Sequence, residues 1–355
     1  MNILIIGTGI TGCTLARLLA EERNHIAIID KNPFIGGVCY DYLSDDESCY
    51  VHKFGPHIFH TLNEDVWMFV NQFDDFIEYR HSYMAYSHND YYPFPINLHT
   101  ISKVFRQNVY TKEDAIKLMK KESKTFSNPQ NFEEAAINDI GERLYDMFIK
   151  DYTEKQWKCK ASELPVETYN RIKIRYNFND DCFQNQFQGM PKHGYIQLFL
   201  NILNHKNIDV KLNEDFFKMQ NIDGYDLIIY TGHIPNVRHR STRFVHHTGS
   251  SLDYPVVNYS GKEEKTRTTD FNILHKISDS NVHHLCDEIP IEESDDSCLY
   301  PVNTEEGIAS YNNRKNELLS KYKNLKLCGR MAEYKYLDMD AAILNAMNFT
   351  KEIFR

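Results

Sequence analysis

The chain is 355 residues long, 42% hydrophobic and 25% charged, with a net charge of −10 and a pI near 5.9. That length and balance describe a soluble globular protein of two or three lobes and argue against nucleic acid as a default partner. No apolar run approaches the roughly 20 residues that span a bilayer, "ILII" has neither the basic region nor the cleavage site expected of a secretory leader, and the eight scattered cysteines form no C-x-x-C pair. We therefore expect no membrane partner, no metal site, and free thiols in a reducing cytoplasm.

Residues 2–6 read as a buried parallel strand. Gly7, Gly9 and Gly12 follow as G-x-G-x-x-G, and "CTLARLLAEE" then has helical spacing. "HIAIID" (25–30) is a second strand that ends in Asp30. This is the dinucleotide-binding βαβ pattern. The glycines let the backbone approach a pyrophosphate, the helix N-terminus supplies aligned N–H donors, and the acid meets a ribose hydroxyl. Gly36 and Gly37 come directly afterwards. "LNEDVWMFVNQF" (62–73) is amphipathic at helical spacing, and residues 78–98 read as a β-hairpin around "HND". Residues 99–170 are mostly helical, with Thr111 placed as an N-cap. "YDLIIYTGH" (225–233) is a strand ending in Thr-Gly. "SGKEEKTRTTD" (260–270) and "DEIPIEESDDS" (287–297) are polar surface turns. "NLKLCGRMAEYKYLDMDAAILNAM" (324–347) is a strand, a Gly-Arg turn and a helix.

The spacing from Asp30 to Gly36-Gly37, the Thr-Gly strand and the Gly-Arg turn resemble the FAD proteins related to glutathione reductase rather than NAD dehydrogenases. With "VHKFGPHIFHT" (51–61), "YTEKQW" (152–157), "NRIKIRYNF" (170–178) and "YKYLDMD" (334–340), the whole chain resembles UDP-galactopyranose mutase. The resemblance implies an α/β fold with a discontinuous FAD-binding Rossmann-like domain, from residues 1–77, 185–235 and 322–355. It also implies an inserted helical bundle (99–171) and an antiparallel β-sheet lobe (78–98, 172–184 and 236–321). The implied reaction interconverts UDP-galactopyranose and UDP-galactofuranose, with N5 of reduced FAD attacking the anomeric carbon. The implied partners are a nucleotide sugar, a reductant such as NAD(P)H or a reductase, and a second copy in a homodimer. The product would feed cell-surface polysaccharide synthesis.

The same resemblance assigns residues. FAD would be held by Gly7, Gly9, Thr11, Gly12, Asp30, Lys31, Gly37, Val38, His57 and Ile58, and by Gly329, Arg330, Asp338 and Met339 from the end of the chain. Arg171 and Arg267 would meet the substrate diphosphate, where a planar guanidinium suits the charge that builds on a departing nucleotide. His57 would steer the flavin chemistry, with His60 nearby. Asn97, Tyr300 and Tyr336 would line the diphosphate, and Arg240 in "HRSTRF" resembles the arginine of the family's "YRSL" motif and would contact the substrate, as would Cys182. Phe148 and Tyr152, four apart on one helix and so on one face, would take the uracil beside Trp157. The chain departs from the family pattern at Cys182 (a tyrosine that contacts the nucleotide), Val38 (an asparagine) and Ile149 (an aromatic). These departures leave open the same chemistry on a deoxy, N-acetyl or heptose pyranose. A redox flavoenzyme and a non-catalytic binding relative also stay open.

Overall fold

The computed structural model describes residues 1–121, 123–169, 174–220, 222–277, 280–292, 298–302 and 304–354. A five-stranded sheet runs in the order Ile208–Leu212, His25–Asp30, Asn2–Ile6, Leu227–Tyr230, Leu325–Leu327. Every pairing in it is parallel. Such strands are covered on both faces, which is why they read as nearly unbroken aliphatic runs. Ile3 and Ile5 pack with Leu15, Phe199 and Ile343 from the helices Ile10–Glu21, Gly194–Leu203 and Met339–Ile353. Leu4 and Ile6 point the other way, toward Tyr311 and Leu318 on the helix Glu305–Lys321. The first helix begins at Ile10, three residues before "CTLARLLAEE", because Gly9 takes the extended N-cap conformation.

A second, seven-stranded sheet has the order Cys298–Pro301, His239–Gly249, His283–Ile291, Arg267–Asp270, Val256–Tyr259, Tyr83–Ser87, Asp90–Phe94. It is antiparallel except where Val256–Tyr259 runs parallel to Tyr83–Ser87, a pairing of strands far apart in the chain. The hairpin turns on His88 and Asn89, with φ of 50° and 59°, the left-handed pair that a two-residue turn requires. Leu98–Phe105, Lys112–Lys120, Phe132–Leu144 and Lys150–Trp157 form the helical lobe around Ile101, Phe132, Ile140 and Leu144. Thr111 does cap its helix, accepting from the Asp114 N–H at 3.1 Å. A π turn, Tyr145–Ile149, separates the last two helices. No helix among the described residues is long and apolar enough to cross a membrane.

Candidate active site

Three glycine motifs, far apart in sequence, close one end of a cavity. Gly7 has φ of +105°, and a Cβ on Gly12 would overlap the Gly7 carbonyl oxygen. Gly37 (φ +56°) would bring a Cβ to 3.1 Å from Gly9 Cα, and Gly329 (φ +98°) would bring one to 2.8 Å from Thr11 Oγ1. Gly36 N donates to the Thr8 carbonyl at 2.9 Å. Gly9 itself has nothing within 4 Å of its Cβ position, so the helix N-terminus beside it is open. No acidic side chain occupies that helix's first turn. A bare helix N-terminus walled by glycine backbone is a cradle for a pyrophosphate.

The cavity above this cradle measures about 690 Å³. Of the expected cofactor contacts, Gly7, Gly9, Thr11, Asp30 and Lys31 line its first part, and Gly37, Val38, His57 and Ile58 continue the wall. Arg330, from the turn after the strand Leu325–Leu327, and Asp338 and Met339, at the start of the C-terminal helix, close it. Gly12 and Gly329 lie behind the wall and act by being small. Asp338 stands at the N-cap of Met339–Ile353, but its carboxylate makes no capping hydrogen bond. Asp30 is fully engaged. Its two oxygens accept from Thr8 N and Oγ1 (both 2.8 Å) and from Asn32 N and Nδ2 (2.9 and 3.0 Å). A ribose hydroxyl would displace one of these donors, and the Asn32 amide is the one free to rotate.

The far part of the cavity is cationic and aromatic. Arg267 Nε donates to Asn258 Oδ1 at 3.0 Å, and its NH1 group lies 3.3 Å from Glu288 Oε1. Burial is the largest single influence and works against this charge, but Glu288 together with Tyr152, Tyr83 and Tyr300 outweighs it and shifts the Arg267 pKa upward. Arg240 is held differently. Its guanidinium sits 4.2 Å from the Tyr300 ring centre and 5.6 Å from that of Trp157, and its buried Nε has no hydrogen-bond acceptor among the described residues. Arg330 also lies over Tyr300, at 4.6 Å, and Tyr300 stacks on Tyr336 at 5.2 Å. Cys182 lines the same region beside Phe183. Burial first, against the pull of Arg267, raises its pKa to about 11, so at neutral pH it is a thiol.

His57 Nδ1 lies 2.9 Å from the Gly55 carbonyl, and His57 N donates to His52 Nδ1 at 2.9 Å. Burial lowers the His57 pKa to about 4; the Gly55 bond opposes this, and Arg330 and Arg267 add to it. A neutral ring facing a carbonyl through Nδ1 carries its proton there. Nε2 is then left as an acceptor, not an acid. His60 stacks on Phe183 at 3.7 Å with its buried Nδ1 unpartnered. Burial also holds His275 at about 4 and, with Arg267 adding, His81 at about 3. Unfolded imidazoles titrate near 6.5. Below that pH the unfolded chain binds protons that the folded chain refuses, so stability is lost as pH falls from about 6.5 toward 4. At pH 5 the loss is on the order of 2 kcal/mol for each such group. A thermal midpoint at pH 5 equal to that at pH 7 would refute this account.

Four expected substrate contacts do not line the cavity, and two of them are buried away from it. Asn97 is fully buried as a helix N-cap: its Oδ1 accepts from Thr100 N, and its amide donates to the Asn179 carbonyl and to Asp180. Phe148 is 2% exposed and packs against Tyr92 and Phe94. The reason is the π turn, which breaks the four-residue register that would have put Phe148 and Tyr152 on one face. Tyr152 and Trp157 stand just outside the lining, reaching it through Gln156 and Arg240. Arg171 lies outside the described residues. Sequence reasoning missed Glu288 and Asn258, whose only signal is cross-strand register opposite Arg267. It also missed His81, Tyr83 and Gln156; Gln156 is signalled by its place four residues after Tyr152.

Comparison with known proteins agrees with this geometry. The family model described as UDP-galactopyranose mutase matches residues 147–336, and one for an NAD(P)-binding Rossmann-like domain matches residues 5–73. The chain is 34% identical to the dTDP-fucopyranose mutase of Escherichia coli over 98% of its own length and 96% of the relative's. It is 34% identical to the probable UDP-galactopyranose mutase of Klebsiella pneumoniae over 99% and 94%. The fold is that of a crystal structure of reduced UDP-galactopyranose mutase, with a TM-score of 0.67 at 16% identity, covering 99% of this chain and 93% of that one. A glycine cradle fitted to a dinucleotide, a matching fold and full-length relatives lead to one conclusion: the chain belongs to the UDP-galactopyranose mutase family of isomerases, and its cofactor is FAD.

Proposed function

We propose that the protein interconverts the pyranose and furanose forms of a pyrimidine-nucleotide hexose, with UDP-galactopyranose and UDP-galactofuranose as the leading pair. The observation that carries this is Arg240: a half-buried arginine whose buried Nε has no acceptor among the described residues. Buried donors are rarely left unpaired. An anion between Arg240 and Arg267 would satisfy it, and a sugar-linked diphosphate is such an anion.

The chain's residues would divide the work. Gly7, Gly9, Thr11 and Gly37 would hold the FAD pyrophosphate. Arg330, Asp338, Met339 and the acceptor Nε2 of His57 would border its reactive ring. Bound in its reduced form, FAD supplies a nucleophilic ring nitrogen for the anomeric carbon, with no net redox change. Arg267, aimed by Asn258 and Glu288, and Arg240, aimed by Tyr300 and Trp157, would bind the diphosphate and stabilise it as it leaves. Tyr336 would extend the aromatic wall, and Gln156, bonded to the Tyr152 hydroxyl behind it, would face the base. Cys182 and Phe183 would border the sugar or ribose with little polarity. That apolar border favours one second reading, a 6-deoxy sugar carried on dTDP, as in the name of the Escherichia coli relative. A cytoplasmic location, a separate reductant, a homodimer and a role in cell-surface glycan synthesis belong to this reading as well.

The test is anaerobic incubation with UDP-galactofuranose or dTDP-fucofuranose, with and without dithionite, followed by anion-exchange chromatography. Conversion to the pyranose only with dithionite is the expected result. Preferential conversion of the dTDP sugar would establish the second reading. Substrate-dependent dye reduction without isomerisation would replace both with a redox flavoenzyme.

A further inference from the structure

The turn that joins the strands Val256–Tyr259 and Arg267–Asp270 points three carbonyl oxygens at one place. Those of Tyr259, Gly261 and Lys265 accept from Lys155 Nζ at 2.9, 3.0 and 2.9 Å. An ammonium has three N–H donors, so the turn saturates it. Burial lowers the Lys155 pKa to about 8, with Glu263 and Asp151 opposing, so the group is charged at neutral pH. The turn is in effect a small cation site, and the cation is a side chain from another lobe.

The two ends of this tether both lead to the cavity. Lys155 stands on the helix Lys150–Trp157. Its neighbour Gln156 lines the cavity and donates to the Tyr152 hydroxyl at 3.4 Å. Trp157 on the same helix lies against Arg240. At the other end the turn runs directly into Arg267, and its residue Lys265 is itself anchored to Asp287 at 2.9 Å. We propose that Lys155 is a positioning residue for the nucleotide diphosphate: it sets how far Tyr152, Gln156 and Trp157 stand from Arg267. The ligand in this statement rests on the nucleotide-sugar reading; the tether does not.

A second bond provides the control. Ser87 Oγ donates to the Met147 carbonyl at 2.7 Å and joins the same two lobes, and neither residue lines the cavity. The holoenzymes to compare are the wild type, Lys155→Met, Lys155→Arg and Ser87→Ala. The readouts are KM, kcat, UDP affinity, flavin content and amide exchange across residues 256–270. Lys155→Met is expected to weaken UDP binding and raise KM by about tenfold or more. Its kcat should stay within about threefold, its FAD content should hold, and exchange in the turn should quicken. Lys155→Arg keeps the charge but not the tetrahedral donors, and is expected to raise KM less. Ser87→Ala is expected to leave KM unchanged whatever it does to the thermal midpoint. The proposal is overturned if Lys155→Met keeps wild-type KM and UDP affinity, or if Ser87→Ala raises KM equally. Should Lys155→Met fail to fold, an unchanged KM in Lys155→Arg overturns it. A wild-type protein with affinity for neither UDP nor dTDP overturns the nucleotide reading and the ligand named here, while the exchange data still report on the tether.

Discussion

Arg267→Ala is expected to lower kcat/KM by about 100- to 1,000-fold while FAD stays bound. The side chain is not part of the glycine cradle that would hold the pyrophosphate, although its partner Glu288 borders Gly55 and its charge acts on His57, so FAD content is the control on this variant. Its guanidinium is aimed from two sides, by Asn258 and by Glu288. Aimed donors need no rearrangement when charge develops on a leaving diphosphate, which is where such groups are worth most. The variant also carries a stability cost. Glu288 is 9% exposed, and without its partner it becomes an unpaired buried carboxylate. Removing one member of a fully buried pair costs about 3–5 kcal/mol; the part-exposed Arg267 places this case below that range. Arg267→Ala/Glu288→Gln separates the two effects. The double variant should regain most of the thermal midpoint and none of the turnover. A single variant with turnover within a few-fold of wild type would remove Arg267 from the reaction.

Gly12→Ala is expected to yield protein with on the order of a tenth or less of the wild-type flavin content, because it displaces the helix N-terminus that binds phosphate. The new methyl would overlap the Gly7 carbonyl oxygen. That oxygen has no room to retreat: a Cβ on Gly7 would itself overlap Thr231 Oγ1, and Gly7 N is bonded to the Ile29 carbonyl at 2.8 Å. Relief requires the helix Ile10–Glu21 to move away from the strand Asn2–Ile6. The N–H groups at its start then leave the pyrophosphate position. Flavin absorbance per protein and recovery on added FAD measure the effect. Full flavin occupancy in Gly12→Ala would show that the cradle tolerates this shift.

Much of the cofactor half was legible because its signals are local. A strand, a glycine turn and a helix fit within about 20 residues, and their geometry depends on glycine's freedom at φ values other residues avoid. The Thr-Gly and Gly-Arg turns could be read in the same way, each from one strand and the turn after it. Thr111 was recognisable as a cap for the same reason: its partner is three residues away.

The substrate half depends on contacts that the chain order does not display. Arg267 is plain in the sequence, but Glu288, 21 residues on, becomes its partner only through antiparallel register. Lys155 reaches carbonyls 104 to 110 residues away. The periodicity that paired Phe148 with Tyr152 assumed an unbroken α-helix, and a single π turn sent Phe148 into the core. Asn97 was read as a substrate contact, yet the helix beginning at Leu98 uses its carbonyl oxygen as a cap and buries the amide. By itself the sequence determined the family and the cofactor cradle, since these follow from short motifs with fixed backbone demands. Only the tertiary structure decided which polar groups are already satisfied and which still need a ligand. Hydrogen bonding is a matter of distance in space, and a residue's partners are known only when the distant strands and helices have met.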